Sequence, residues 1–303
     1  VWTDTEAIRV SCAVAIWFTV AVAGENHASE QFSQPYSSTD QLPLDQTMTE
    51  LNSPKDVIVH APHSPLTDYY ADEEARRGWV GRMFDSTAAD YDRIETLIGF
   101  GSGAGYRGQA LLRAGLKPGM QVVDVGMGTG LVARQAARIT GDPRKVTGVD
   151  PSAGMLKNAQ VPAGVKVVEG RAESIPFPDN SFDFLSMGYA LRHISDLSVA
   201  FAEFHRVLKP GGRLCIMEIT CPENKLQKML LKAYLRGIVP TLARLATRNG
   251  DTSVLWRYYW DSIEACAAPA SVMRTLTGAG LESVDRHVVL GMFSEYRASK
   301  AAQ

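Results

Sequence analysis

Gln121-Val-Val-Asp124-Val-Gly126-Met-Gly128-Thr-Gly130 is the stretch on which the fold turns. A short apolar run ends in an acid and three alternating glycines, and a helical pattern follows at Gly130–Arg138. A glycine turn at the end of a strand lets backbone approach a ligand closely, and the helix N-terminus behind it offers unpaired N–H groups. A dinucleotide fingerprint wants G-x-G-x-x-G, yet counting from Gly126 puts Leu131 where the third glycine should stand. Glycine turns also end strands for purely structural reasons, so the turn needs support from its surroundings.

Working outward, short apolar runs alternate with helical ones. Strands are predicted at Gln121–Val125, Lys145–Val149, Val165–Glu169, Phe182–Met187 and Arg213–Ile219. Helices are predicted between them at Gly130–Arg138, Ser152–Gln160 and Leu197–Leu208. Such alternation implies right-handed crossovers and a parallel sheet covered on both faces. A helix at Ala270–Ala279 and strands at Ser283–Val289 and Gly291–Ala298 close the chain. Asp150 ends the second strand, where a carboxylate can accept from both hydroxyls of a ribose. The run Asp150-Pro151-Ser152 also fits a simple helix cap, but its βαβ distance from the glycine turn favours the ligand. Met155, one turn on, either covers an adenine face or packs in the core.

Upstream, Glu73–Phe84 and Ile94–Leu116 read as helices broken by Gly99, Gly101, Gly103 and Gly105. Residues 66–120 are therefore a helical lid, and residues 121–303 a single α/β domain with a helical insertion at 222–264. Residues 25–65 are rich in Ser, Gln, Pro and Asn without a period, a composition that cannot offset ordering entropy. Before them, Arg9 precedes the apolar run Val10–Val22 and then Ala23-Gly24, which resembles a signal-peptide core with a small-residue exit. The run is too short for a transmembrane helix, and Asp4 and Glu6 weaken the positive flank. Residues 1–65 are read as a disordered, dispensable leader and linker, with Met48 an alternative start.

Of 303 residues, 45 % are hydrophobic and 21 % charged, at a formal net charge of −2. That balance argues against a broad nucleic-acid surface. The four cysteines form no CxxC pair and lie near no His cluster, so neither zinc nor a disulfide framework is expected and a reducing cytoplasm fits.

The glycine turn followed by a strand ending in Asp150 resembles the class I S-adenosyl-L-methionine-dependent methyltransferases. Glu173-Ser-Ile-Pro176-Phe177 through Phe182-Asp183 is similar to their third and fourth strand region, and Leu208-Lys-Pro210-Gly211-Gly212-Arg213 to the loop before their fifth strand. Phe84-Asp-Ser-Thr-Ala-Ala-Asp-Tyr91-Asp92 is similar to the F-D-x-I-A-x-x-Y-D segment of the ubiquinone/menaquinone-biosynthesis C-methyltransferases. Gly188-Tyr189-Ala-Leu-Arg192-His193-Ile194 resembles their S-F-G-L-R-N-V, and Asp261-Ser262-Ile263 their late E-S-I. The likeness covers about residues 80–300. His193 stands where the family has Asn, and Glu264-Ala-Cys-Ala-Ala-Pro269 departs from its proline-rich stretch.

The resemblance implies a Rossmann-like α/β fold, a mostly parallel seven-stranded sheet with helices on both faces, and S-adenosyl-L-methionine as cofactor. It places Tyr91, Asp124, Gly126, Gly128, Gly130, Asp150, Met155, Ala172 and Glu173 around that cofactor. Tyr91 either closes over it or packs in the lid without contact. The family has Asp or Asn at position 171, accepting from the adenine amino group. Arg171 has no acceptor, so backbone or packing takes over and the arginine turns to solvent. The acceptor implied is a polyprenylated quinol ring; an O- or N-methyltransferase of a small metabolite and a non-catalytic cofactor-binding scaffold are the competing readings.

Methyl transfer mainly requires alignment, and attack by a ring carbon also requires phenolate character. Arg192 could stabilise that phenolate or orient a water, His193 could take the phenol proton, and Tyr189 could line the acceptor. The alternative for Arg192 and His193 is a polar strand-end pair. In the insertion, Leu226, Met229, Leu230, Tyr234, Leu235 and Ile238 recur at helical spacing with Lys and Arg between them. The pattern fits an acceptor lid, a peripheral membrane contact at the inner face, or ordinary helix packing.

Overall fold

A computed structural model describes residues 61–98, 102–247 and 249–302. Residues 1–60 of the expected leader and linker, and Gly99 and Gly101 of the glycine cluster, lie outside the described residues. Seven strands form one sheet: β1 Val122–Val125, β2 Val146–Asp150, β3 Lys166–Glu169, β4 Phe182–Gly188, β5 Leu208–Ile219, β6 Leu281–Val289 and β7 Phe293–Lys300. Their order is β3-β2-β1-β4-β5-β7-β6. β1 to β5 are parallel, and the last hairpin joins β5 antiparallel through β7. The order reverses between β1 and β4, the point where open α/β sheets bind ligands.

Strand alternation sorts the core onto two faces. Val123, Val125, Leu185, Met187 and Ile216 pack against Phe201, Phe204, Val272 and Leu276, which come from helices α5 (Leu197–Val207) and α9 (Pro269–Gly278). Val122, Phe184, Cys215 and Met217 point the other way, onto Leu111, Ala133 and Ala136 of α2 (Gly103–Arg113) and α3 (Leu131–Thr140). A fully buried Phe or Leu contributes about 1.5–3 kcal/mol of transfer free energy, so the double-sided pattern is the main cause of the fold.

Several boundaries move. The first lid helix, α1, does not stop at Phe84 but runs from Glu73 to Ile98, and α2 begins only at Gly103. β5 begins at Leu208 rather than Arg213, with a register shift opposite Phe182 and Phe184 absorbing the Pro210-Gly211-Gly212 run. Residues 61–65 are also docked rather than free. His63 is buried, and the Pro62 carbonyl accepts from the Ala267 N–H at 2.6 Å.

The helix α4 (Ala153–Lys157) follows β2, with Ser152 capping it through Met155 N–H at 3.0 Å. Between β5 and α9 lie α6 (Lys225–Lys232), a π-helical turn at Ala233–Ile238, α7 (Val239–Ala246) and α8 (Gly250–Ala265). The lid and this insertion meet through Tyr70, Trp79, Leu255 and Tyr258. No helix among the described residues is long and apolar enough to cross a membrane.

Candidate active site

At the C-terminal edge of the parallel strands, α1 closes over a cavity of about 310 Å³. Its floor is the glycine turn after β1. Gly126 (φ +68°) and Gly128 (φ +54°) both take left-handed backbone, which an L side chain adopts at a cost of roughly 1–2 kcal/mol. The two differ in what a side chain would meet. A Cβ on Gly126 would lie 2.6 Å from Ala190 Cβ, whereas one on Gly128 would meet nothing within 4 Å.

Asp150 faces the cavity and ties the turn to the second strand. Its Oδ2 accepts from Gly128 N–H and its Oδ1 from Ser152 N–H, both at 2.8 Å. Burial pushes its carboxyl up to about 6, against the two N–H donors that favour the charge. Each oxygen keeps a lone pair for a ligand hydroxyl. Met155, Ala172 and Glu173 line the same side. Burial raises the Glu173 carboxyl, but Ser195 N–H at 2.7 Å and the Arg171 guanidinium outweigh it and hold it below the usual value. Arg171 is exposed to solvent, its side chain 45 % accessible, while its guanidinium also reaches the cavity wall and donates to Ser195 Oγ at 3.2 Å.

Tyr91, Tyr189 and His193 line the cavity as well. Tyr91 lies nearly parallel to Trp256, with ring centroids 6.2 Å apart. Tyr189 takes φ +59°, a strained position for a bulky residue and one that turns its ring inward. His193 Nδ1 lies 3.3 Å from the Tyr258 hydroxyl, while Nε2 is buried and unpartnered. Burial, and then the charges of Arg192, Arg76 and His63, hold its pKa well below the ordinary imidazole value. The ring is neutral at neutral pH.

Three residues expected in the site stand behind its wall. Asp124 points beneath the turn and accepts from Ser186 Oγ at 2.7 Å, wholly buried; burial pushes its carboxyl up to about 7. Gly130 (φ +92°) is needed for packing, since a Cβ there would come within 2.3 Å of Val161. Arg192 is fully buried and faces α8. It pairs with Glu218 and donates to Ser262 Oγ at 3.1 Å. Arg192 is thus not among the residues that line the cavity; it contacts the insertion, and its remaining Nη2 is buried without a hydrogen-bond partner.

The sequence reading also missed part of the site. Asp85 and Asp92 sit two helical turns apart on α1, so they share a face. Asp85 accepts from Ser152 Oγ at 2.6 Å and Gly154 N–H at 2.9 Å. Asp92 accepts from Thr129 Oγ1 and from Arg134 at 3.0 Å. Their neighbours Phe84 and Tyr91 face the cavity, so the F-D…Y-D spacing that carried the resemblance does two jobs at once. Arg76 holds the turn after β4, donating to the carbonyls of Arg192 at 2.7 Å and Ile194 at 3.2 Å. Arg107 and Thr129, neither given a site role from sequence, also line the cavity.

These residues fit S-adenosyl-L-methionine. Asp150 offers free lone pairs at the ribose position, Gly128 leaves open space beside it, and buried Met155 presents an apolar face. Sheet order, switch point and glycine turn define the class as Rossmann-like α/β methyltransferases. Residues 70–300 match the ubiE/COQ5 methyltransferase family, and the chain belongs to that family: it is a methyltransferase. The Ubiquinone/menaquinone biosynthesis C-methyltransferase UbiE of Shewanella halifaxensis is 31 % identical over 219 residues, covering 70 % of this chain and 86 % of that protein. The protein of the same name from Shewanella oneidensis is 30 % identical over 213 residues, covering 68 % and 84 %. Among solved structures, a SAM-dependent methyltransferase from Thermotoga maritima superposes with a TM-score of 0.52 at 24 % identity, covering 72 % of this chain and 98 % of that one, a likeness of fold.

Proposed function

We propose that this chain uses S-adenosyl-L-methionine to methylate a ring carbon of a polyprenylated quinol or a related isoprenoid-linked aromatic ring. Bound there, the cofactor supplies a sulfonium methyl that is electrophilic without further activation. Support comes from the family and from one feature above all: the unpartnered Nε2 of a neutral His193 beside an apolar wall of Val80, Phe84 and Ile194. A neutral imidazole accepts a hydrogen bond from a ring hydroxyl and draws electron density onto the ring. Burial, and then the cations around it, oppose full protonation, so His193 orients the hydroxyl and polarises it rather than storing its proton. Tyr91 and Phe84 exclude water over the ring.

The same reading includes peripheral contact with a membrane holding such an acceptor. Leu226, Met229, Ile238, Leu242 and Leu245 are exposed on α6, the π-helical turn and α7, interleaved with Lys and Arg, the pattern of an interfacial helix. The test is expression in a bacterium deficient in quinone methylation, followed by mass spectrometry of its quinones. Accumulation of the C-methylated quinone supports the reading. Unmethylated precursor alone, from a chain that binds the cofactor, overturns it in favour of another acceptor.

A further inference from the structure

Four arginines line the cavity: Arg76, Arg77, Arg107 and Arg171. Among the described residues, Arg107 is the only one of these four with buried donors left idle. Its Nη2 donates to Glu95 Oε1 at 2.7 Å, while Nε and Nη1 are buried without a partner. The side chain is only 4 % exposed, and its guanidinium lies 5.3 Å from the centroid of the Tyr189 ring. An unmet donor away from water is costly, and a guanidinium cannot escape by losing its proton. Burial opposes the charge, but Tyr189 and Glu95 favour it and the pKa stays above the ordinary value. The cavity therefore keeps a permanent cation with spare donors.

Sheet order says which group reaches it. Along the C-terminal edge the strands run β3, β2, β1, β4. Ala172 and Glu173 follow β3, Asp150 ends β2, the glycine turn follows β1, and Tyr189 with Arg107 lies beyond β4. A cofactor whose ribose meets Asp150 carries its amino-acid arm over the glycine turn toward Tyr189. We propose that Arg107 binds the α-carboxylate of the cofactor's methionine moiety, with Glu95 as its positioning residue; this rests on the S-adenosyl-L-methionine reading of the site. The carboxylate is a permanent anion, whereas a ring hydroxyl becomes one only on losing its proton, and His193 is the group that meets the hydroxyl. Gly103 belongs to the same device. A Cβ there would come within 2.4 Å of Arg107 Nη1 and 2.6 Å of Glu95 Oε1.

Two probes separate the carboxylate from the rest of the cofactor. S-adenosylhomocysteine carries it; 5′-methylthioadenosine keeps the adenosine and sulfur and lacks it. Calorimetry on the full chain should show R107M losing about 30- to 100-fold in affinity for the first probe and staying within about twofold for the second. R107K should recover part of the loss. If R107M does not fold, G103A, which keeps the charge and displaces it, must show the same selective loss. Equal losses for both probes, or no loss for either, overturn the proposal. So do unchanged affinities with slowed methyl transfer, which would move Arg107 to the acceptor. Wild-type protein that binds neither probe overturns the cofactor reading itself, a result distinct from all of these.

Discussion

The guanidinium carbon of Arg192 stands 3.8 Å from the centroid of the Tyr259 ring, so the turn after β4 is locked to the insertion helix α8. The same guanidinium pairs with Glu218 on β5, and both groups are essentially without solvent. Burial opposes the charge on Arg192, and the Glu218 carboxylate beside it more than compensates.

Breaking such a pair from one side leaves an uncompensated buried charge, at a cost of about 3–5 kcal/mol. R192M should therefore lower the unfolding free energy by that amount in urea titration. Adding E218L should restore most of it, because two apolar groups of similar size replace the pair. Failure of the double variant to recover would mean that Arg192 has a duty the pair does not explain.

Neither partner could be found by reading along the chain. Glu218 lies 26 residues from Arg192 and Ser262 lies 70 away, and the run Tyr189-Ala-Leu-Arg192-His193 looks the same whether its arginine faces a cleft or a helix. The strands and Asp150 were legible because period-two patterning and strand-end chemistry are local. The length of α1 was not. Its second half carries no continuous apolar stripe and is held by Asp85 and Asp92 against residues 37 to 69 positions away, a tertiary effect that overrides local pattern. Asp124 shares its motif with Gly126, so sequence alone points it at the ligand, yet the pleat turns it under the sheet toward Ser186.

Asp92 should behave as a latch. In D92A, Thr129 and Arg134 both lose a charged acceptor, and hydrogen bonds of that kind contribute about 1.5–3 kcal/mol each in favourable settings. Hydrogen exchange should quicken along Glu73–Ile98 while β1 and β4 keep their protection. Uniform loss of protection would show that the lid and the sheet unfold as one unit.

The two glycines of the turn should separate stability from binding. G126A should destabilise through both backbone strain and the clash with Ala190. G128A should carry only the strain, roughly 1–2 kcal/mol, because no protein atom waits near its Cβ. Its methyl would project into the space assigned to the cofactor, so affinity for S-adenosylhomocysteine should fall further than stability does. Full affinity in G128A would place the ligand elsewhere.

Asp150 makes binding depend on pH. Its carboxyl is pushed up to about 6, first by burial, above an unfolded value near 3.8. The stability it contributes is therefore fully present below about 3.8 and is lost as pH rises through about 6, because the unfolded chain gives up its proton first. Cofactor affinity runs the opposite way. The ionised carboxylate is the better acceptor for two ribose hydroxyls, so affinity for S-adenosylhomocysteine should rise as pH climbs from 5 to 7, with its midpoint near 6. D150N should bind more weakly at pH 7 and lose the step. D124N should keep it, although burial holds that carboxyl up at about 7, because Asp124 lies behind the wall. Calorimetric titrations of the three proteins across this range give the answer directly. A step that survives in D150N and vanishes in D124N would reverse the two roles and make the acid beneath the glycine turn the one that senses the cofactor.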